Sequence, residues 1–542
     1  MHSRFRLLTK SSRKIQGLLK FDFTSQPTYD PFIISKKIHP FLIPVQKYHN
    51  HQTQISTNIF TSDYDSAISS KGYSDSYIEN EAVKIQALLK LQSDKSVEDI
   101  QQSLAKCNLS LSEDLVLNVL KRHRSDWKVA YAFFGLVCNG KDSNGFFPKT
   151  CIFNEMLDTL GRMKCFDELS QVLDEMSKRK NLIDERTYAV VTHRYASAHK
   201  VDEAVEFFYK RKEFGLQQDL IGFQTLLLSL CRYKHVEEAE LLFHNKRSEF
   251  RDDIKTWNII LNGWCVLGSL PDAKRFWKII MASRCKPDIF TYGIYINALS
   301  KSGKISTAVK LFRSMPEKGC RPDVAICNCI IDGLCFKKRI PEALAIFREM
   351  NEMDCSPNVA TYNSLIKYLC KIRRMETVYE LLDEMEDKGG YCLPNALTYG
   401  HLLKNVKKPE DVDKILERME KSGCALLGDT YNLILRLFVH WGDESRVKDT
   451  WDGMERSGLG PDQRSYTIMV HGLYEKGRIE DALSYFTDMV SKGMMAEPRT
   501  KLLVDAMNTK LKEGEEIEEM GRMNGNISLN RSHRIRKKNK SG

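Results

Sequence analysis

Residues 289–323 read IFTYGIYINALSKSGKISTAVKLFRSMPEKGCRPD. Tyr292, Tyr295, Ile296 and Leu299 fall at i, i+3, i+4 and i+7, the spacing that puts apolar side chains on one face of an α-helix. Gly303 follows, and glycine tolerates the left-handed conformation in which helices commonly end. Ile305, Ala308, Phe312 and Met315 then form a second stripe, with the small Ala308 allowing close approach of a partner helix. Pro322 and Asp323 close the stretch. The pattern predicts a helical hairpin.

The same marks recur at a fixed interval. The neighbouring stretches 254–288 and 324–358 also have 35 residues. Working outward gives 150–184, 185–219, a 34-residue 220–253, a 37-residue 359–395, a degenerate 396–427, then 428–462 and 463–497. Trp257, Ile260, Leu261 and Trp264 repeat the first stripe, and Leu270, Ala273, Trp277 and Ile280 the second. Tyr466, Met469, Val470 and Leu473, then Ile479, Ala482, Phe486 and Met489, repeat both again. One hairpin cannot bury two such stripes alone, whereas stacked hairpins bury them continuously. The predicted fold is all-α, a right-handed superhelical solenoid of about ten 35-residue helix-turn-helix repeats. The array occupies 150–497. Residues 76–149 are expected to be a divergent helical region with one degenerate repeat, and 498–520 a partial repeat that caps the array.

Charge and cysteines narrow the reading. The net charge is +11, but residues 1–60 hold nine Lys/Arg against two Asp/Glu, and 521–542 hold seven Lys/Arg and no acid. The stretch between them is close to neutral, about −3, so nucleic-acid binding by the repeats cannot be argued from net charge. The 15 cysteines recur with the repeat, as at Cys285, Cys320 and Cys355, and form no CxxC pair. They read as reduced thiols packed between helices rather than a zinc site or disulfide framework. No run of about 18 apolar residues suggests a membrane span.

The first 21 residues, MHSRFRLLTKSSRKIQGLLKF, carry six Lys/Arg and no acid, with Leu8, Ile15 and Leu19 placed for one helical face. A basic, Ser-containing, acid-poor amphipathic start is the pattern of an organelle transit peptide. The early arginines favour the mitochondrion, with the chloroplast as the alternative. Segment 1–60 is therefore expected to be a transit peptide with a disordered continuation, and 521–542 a disordered basic tail.

Thr256-Trp257-Asn258, Thr361-Tyr362-Asn363 and Thr430-Tyr431-Asn432 open repeats that close on Pro-Asp or Pro-Asn, as at Pro287-Asp288, Pro357-Asn358, Pro394-Asn395 and Pro461-Asp462. In these residues the chain resembles the pentatricopeptide repeat family, P-type, whose members include organelle-targeted plant proteins. The resemblance covers 150–497, and it implies sequence-selective binding of single-stranded organellar RNA, about one nucleotide per repeat. Such recognition uses two or three side chains per base. In that family the fifth and last residues of a repeat reach the base edge, and the second lies between adjacent bases. By that analogy Asn154 with Asp184, Asn258 with Asp288 and Asn432 with Asp462 favour uridine. Asn328 with Asn358 and Asn363 with Asn395 favour a pyrimidine, C over U. The repeats with Ala189, Gln224, Gly293, Gly400 and Thr467 in fifth place are not decoded. The implied site, 5′ to 3′, is U-?-?-U-?-Y-Y-?-U-?, where Y is a pyrimidine. At second positions Ile221, Phe290 and Leu397 could pack against base faces. Arg186, Lys255 and Arg464 could stack or meet phosphate. Asp429 in that place would repel phosphate.

An Asp or Asn just before a helix is also a good N-cap, worth about 1 kcal/mol. Capping and base contact are compatible roles for Asp288, Asn358 and their counterparts. No catalysis is expected: no PCxxC follows an HxE for a zinc deaminase, and no P-loop or HExxH occurs. No metal or cofactor is expected either. Such a protein would act by occupancy, or by recruiting nucleases, splicing factors or translation factors. The other class of function open to a helical array is a protein-interaction solenoid within an organellar ribosome or processing complex. One substitution separates capping from reading. Asp288→Asn should leave thermal stability nearly unchanged, because Asn caps as well as Asp, and should move base preference in a binding titration from U towards C. An unchanged preference would sink the base-reading role of that repeat.

Overall fold

A computed structural model describes residues 74–512, apart from 91–95, 106–110, 140–145, 180–181, 248 and 251–252. The basic segment 1–60, the tail 521–542 and the last part of the expected cap, 513–520, lie outside the described residues. Among the described residues there is no strand.

Each period folds as the sequence dictates. In the repeat 289–323 the Asp288 carboxylate accepts the N–H of Thr291 at 2.8 Å, and the Thr291 hydroxyl accepts the N–H of Asp288 at 3.1 Å. This reciprocal capping box satisfies two backbone donors that helix geometry leaves orphaned, and starts the helix Ile289–Lys301. Gly303, at φ 75°, ends it, with the N–H of Lys304 returning to the Leu299 carbonyl at 2.9 Å. The second helix, Ile305–Ser314, buries Ile305, Ala308 and Phe312 against the first. Capping boxes recur at Asp184, Asn358, Asn395 and Asp462, and Asp219 and Asp323 accept from the third residue of their helices. The two extra residues of the repeat 359–395 are absorbed after its second helix, where a short 3-10 turn, Gly390–Cys392, lengthens the return.

The chain divides into two compact bodies, Met1–Lys286 and Pro287–Gly542. In the N-terminal body the first helices Thr150–Met163, Glu185–Ser197, Leu220–Arg232 and Ile254–Leu267 stack in series, each also against its own second helix. Among the described residues four helices precede them: Ser74–Lys90 packs on Glu113–Arg122, and Val97–Ala105 on Trp127–Asn139. In the C-terminal body Ile289–Lys301, Val324–Phe336, Val359–Lys371, Ala396–Leu403, Gly428–Trp441 and Gln463–Glu475 stack in the same way. The described chain ends in a further helix, 498–512. The fourth residue of most first helices is a buried aromatic: Tyr188, Trp257, Tyr362, Tyr399 and Tyr466 have no exposed surface. Described cysteines are free thiols, and no described cluster of His, Cys, Asp or Glu is suited to a metal. Among the described residues no helix is long and apolar enough to cross a membrane.

Two packing details decide stability locally. On the helix Gln463–Glu475, a Cβ added to Gly472 would lie 2.1 Å from Cγ1 of Val439 on the preceding first helix. The missing side chain thus sets how closely these helices approach. In the repeat 185–219, Arg211 is fully buried where other repeats carry Met176, Met315, Met350, Met454 or Met489. Its guanidinium stacks 4.2 Å from the Tyr188 ring, pairs with both Glu185 oxygens at 2.6 and 3.0 Å, and donates to the Gln217 carbonyl at 2.7 Å. Gly222 makes room, since a Cβ there would lie 2.5 Å from the guanidinium carbon.

Gly472→Val should lower the stability of the C-terminal body by about 1–3 kcal/mol through overpacking, despite the better helix propensity of valine. A lowered urea midpoint would show this, and an unchanged one would refute the close-approach role. Arg211→Ala should cost about 3–5 kcal/mol by leaving a cavity and severing the pair, whereas Arg211→Met should cost about 1 kcal/mol or less. Methionine fills the same place in other repeats, and Glu185, 56% exposed, can remain in water. Equal loss in both variants, measured as thermal midpoint, would mean that the charge itself holds this repeat together.

Candidate nucleic-acid interface

The residues singled out by the sequence sit at one end of the first helices. The last residue of each repeat is the N-cap of the next first helix, and the fifth residue lies just over one turn into its own. Within the C-terminal body, stacking brings the two together. The Asn432 amide nitrogen donates to both oxygens of Asp462, at 3.1 and 3.2 Å. Asn363 donates to Asn395 Oδ1 at 3.3 Å, and Asn328 to Asn358 Oδ1 at 3.5 Å. Each amide nitrogen carries two protons and each carboxylate about four acceptor sites, so these pairs retain capacity for a further polar edge.

Two of these three amide oxygens are held by hydroxyls, whereas Asn328 Oδ1 is buried without a hydrogen-bond partner. Thr398, the third residue of the next first helix, donates to Asn363 Oδ1 at 2.7 Å, and Ser465 donates to Asn432 Oδ1 at 2.6 Å. The same hydroxyls complete the capping boxes of Asn395 and Asp462. The amide is therefore oriented with its oxygen towards the buried hydroxyl and its nitrogen towards the cap. The Asp462 carboxyl is pushed up by burial, but N–H donation from Ser465, the Asn432 amide and the Ser465 hydroxyl outweigh this and hold it below its ordinary value. It stays an ionised acceptor at neutral pH.

The N-terminal body differs in detail. Asn154 is buried, and neither its amide nitrogen nor its oxygen has a hydrogen-bond partner. It is not bonded to Asp184, whose carboxylate caps the following helix at 2.7 Å from the Thr187 N–H. Two orphaned buried polar atoms in fifth place are the kind of feature that calls for a ligand or water. Asn258 is buried on the helix Ile254–Leu267, while Asp288 caps the first helix of the other body. Gln224, which the sequence left undecoded, reaches Asp253 at 2.8 Å and the Thr256 hydroxyl at 2.9 Å. Its amide nitrogen meets both the cap carboxylate and the hydroxyl, whereas Asn363 and Asn432 meet the cap by nitrogen and the hydroxyl by oxygen, and Asp253 makes no side-chain cap bond.

The other undecoded repeats place no polar side chain against the cap for visible reasons, Ala189 because it carries only a methyl group. Gly293 and Gly400 carry no side chain in fifth place, and Leu427 supplies no polar cap. The Thr467 hydroxyl turns back to the Gln463 carbonyl at 2.8 Å. Second positions stand clear of the core. Ile221, Phe290 and Leu397 are 66%, 60% and 52% exposed, and Arg186, Lys255 and Arg464 are exposed as well. Asp429 is not an isolated negative charge, because Arg464, in the second place of the next repeat, pairs with it at 2.9 Å. The hydroxyls of Thr398 and Ser465, and the reach of Gln224, were missed at the sequence level. Their signal was the Thr or Ser two places before the fifth residue, where it reads as a capping partner alone.

Models of the PPR repeat match residues 290–320, 429–459 and 464–494, and models of the PPR repeat family match 252–301, 322–371 and 357–408. A pentatricopeptide repeat-containing protein of Arabidopsis thaliana is 56% identical over 438 residues, 81% of this chain and 83% of its own. Another from Arabidopsis thaliana, named as mitochondrial, is 33% identical over 425 residues, 78% of this chain and 73% of its own. The crystal structure of the pentatricopeptide repeat protein PPR10 from maize aligns at 21% identity and a TM-score of 0.42, over 79% of this chain and 65% of that one. This chain thus spans slightly less than two thirds of the maize protein structure. With 56% identity sustained over most of both chains, and a 35-residue hairpin whose capping residues meet the fifth-place amides, the chain belongs to the pentatricopeptide repeat family.

Proposed function

We propose that this protein binds single-stranded RNA sequence-selectively, about one nucleotide per repeat, and acts by occupying its site or recruiting other factors rather than by catalysis. The observation that carries this reading is the paired row of fifth-place amides and cap residues, Asn328 with Asn358, Asn363 with Asn395 and Asn432 with Asp462. An amide offers a donor and an acceptor, which suits the edge of a pyrimidine, and the neighbouring cap tunes the choice. Ionised Asp462 only accepts, and so selects a ring N–H or a bridging water, as uridine provides. Asn358 and Asn395 can also donate, which suits cytidine. Exposed Ile221, Phe290 and Leu397 offer apolar faces between bases, and Arg186, Lys255 and Arg464 offer planar or cationic ones. Gln224 with Asp253 adds a further polar reading pair in the N-terminal body.

The site of action we propose is the mitochondrion. Several relatives carry that word in their names, and the basic, acid-poor N-terminus is consistent with it. Transcript processing, stability, splicing or translation would follow from where the protein sits on its RNA, with nucleases, splicing factors or translation factors as partners.

A gel-shift series tests the reading. RNA of the form U-N-N-U-N-Y-Y-N-U-N should bind at least about tenfold tighter than the same RNA with purines at the U and Y positions, a difference of about 1.4 kcal/mol or more. Asn432→Ala should abolish the preference at its own position while leaving the others intact. Equal binding of both RNAs at moderate salt would overturn the proposal.

A further inference from the structure

The ends of the first helices opposite the amide row carry a feature that base reading does not use. In the C-terminal body, three successive turns between first and second helices are basic: 337–339 is Lys-Lys-Arg, 372–374 is Ile-Arg-Arg, and 404–408 is Lys-Asn-Val-Lys-Lys. None of these spans contains an acid. Their first helices, Val324–Phe336, Val359–Lys371 and Ala396–Leu403, pack in series, so the turns follow one another along one edge. All the basic residues are exposed except Arg339, which is half-buried and pairs with Glu342 at 2.6 Å. Among the described residues no carboxylate lies within ion-pair distance of the others. The nearest carboxylates in sequence, Glu376, Glu410 and Asp411, lie in the first turns of the second helices, and Asp411 pairs with Lys414 at 3.4 Å.

A cation at a helix C-terminus is favourable by about 0.3–1 kcal/mol. That accounts for one basic residue per turn, not for two or three. It would also apply to every repeat alike, and the cluster is local. The turn before it, 302–304, has only Lys304, and the turn after it is Gly442 with Asp443 and Glu444. His401 is held down to about 4 by burial, and further by Lys404, Lys367 and Lys371.

The edge cannot serve the nucleotides at the amide row. From Asn363 to Arg373 is ten residues, about 15 Å along the helix at 1.5 Å per residue. Adjacent helices lie about 8–10 Å apart, so three turns extend over about 20 Å, which is about six phosphates of one duplex strand at 3.4 Å each. The exposed ring of Phe336, against which Lys337 lies, and Ile372 are the apolar surface present. That is too little to insert into a membrane, and a polyanion with regularly spaced charge fits better. We propose that the edge formed by turns 337–339, 372–374 and 404–408 is a second RNA-binding surface, which holds the phosphate backbone of RNA flanking the read segment without base preference. This rests on the single-stranded RNA reading given above.

The test uses the full chain and a variant with Lys337, Lys338, Arg373, Arg374, Lys407 and Lys408 all changed to Gln. Two RNAs are titrated across a salt series: an oligonucleotide carrying only the read sequence, and the same sequence with a hairpin appended. Wild type should bind the hairpin-bearing RNA about tenfold tighter than the short one. The variant should lose that advantage, keep its affinity for the short RNA within about twofold, and show a shallower salt slope on the long RNA by about 0.9 per lost phosphate contact. Changing Lys337, Lys338, Lys407 and Lys408 to Arg should keep the advantage, and circular dichroism should be unchanged throughout. Absence of any advantage in wild type, an equal loss on both RNAs, or a variant that matches wild type would each overturn the second surface. So would loss of binding to phosphatidylserine vesicles with RNA binding intact, which would assign the edge to a membrane. Failure of the short RNA to bind wild type with preference would instead overturn the base-reading proposal, and is seen separately.

Discussion

The hydroxyl at the third residue of most first helices is the small group on which much of the rest depends. Thr291, Thr361, Thr398 and Ser465 each lie against the cap residue before their helix, and the hydroxyl accepts its N–H. Satisfying the first turn fixes where the helix begins, and so fixes the phase of the apolar stripe that follows. In at least two places the hydroxyl also reaches back to the preceding repeat, from Thr398 to Asn363 and from Ser465 to Asn432. One group thereby starts a helix, registers it against its neighbour and orients the amide proposed to read a base. The triplet Thr361-Tyr362-Asn363 divides the work by residue: hydroxyl for the cap, ring for the core, amide for the surface.

That division explains why the fold was legible and the site only partly so. Helix starts at Asp288, Asp323 and Asn358, and the breaks at Gly268, Gly303 and Gly477, follow from local chemistry and can be read from the chain. The aromatic stripes also follow, because a buried face needs only periodicity. Contacts between repeats do not. Nothing in the local sequence says that Gln224 will reach across to Asp253, or that Arg464 will neutralise Asp429. Arg211 is the sharpest case. A basic residue in a methionine position reads as an exposed side chain, yet it is wholly buried because Tyr188 offers a ring, Glu185 a carboxylate and Gly222 an empty space. Three residues from two repeats are needed to make that burial favourable.

The capping role weighed at the sequence level is visible in the hydrogen bonds, and it does not compete with base reading. A cap carboxylate uses one or two of its acceptor sites on the helix, which leaves the rest for a ligand. It also explains the conservative chemistry of the row. Only Asp, Asn, Ser, Thr and Gly cap well, so a position that must start a helix is already confined to small polar side chains, and Asp and Asn are the two that present a planar polar edge. Where the polar cap is lost, as at Leu427, the fifth place of the same repeat, Gly400, offers no polar side chain either, so the capping role and the proposed reading role are missing together.

Charge along each first helix follows from the same geometry. Carboxylates gather at the N-terminal ends as caps, where the helix dipole stabilises them, and in the repeats 324–358, 359–395 and 396–427 cations gather at the opposite turns. A near-neutral array is therefore polar across its width. On the proposed reading, an RNA strand lying along the cap row would meet acceptors that choose among bases but repel phosphate, and its backbone would be held elsewhere, by second-position residues such as Arg186, Lys255 and Arg464. Selectivity and attraction are separated onto different residues. On that proposal a near-neutral array could discriminate among sequences, because the groups that would choose the base are not the ones that would hold the phosphates.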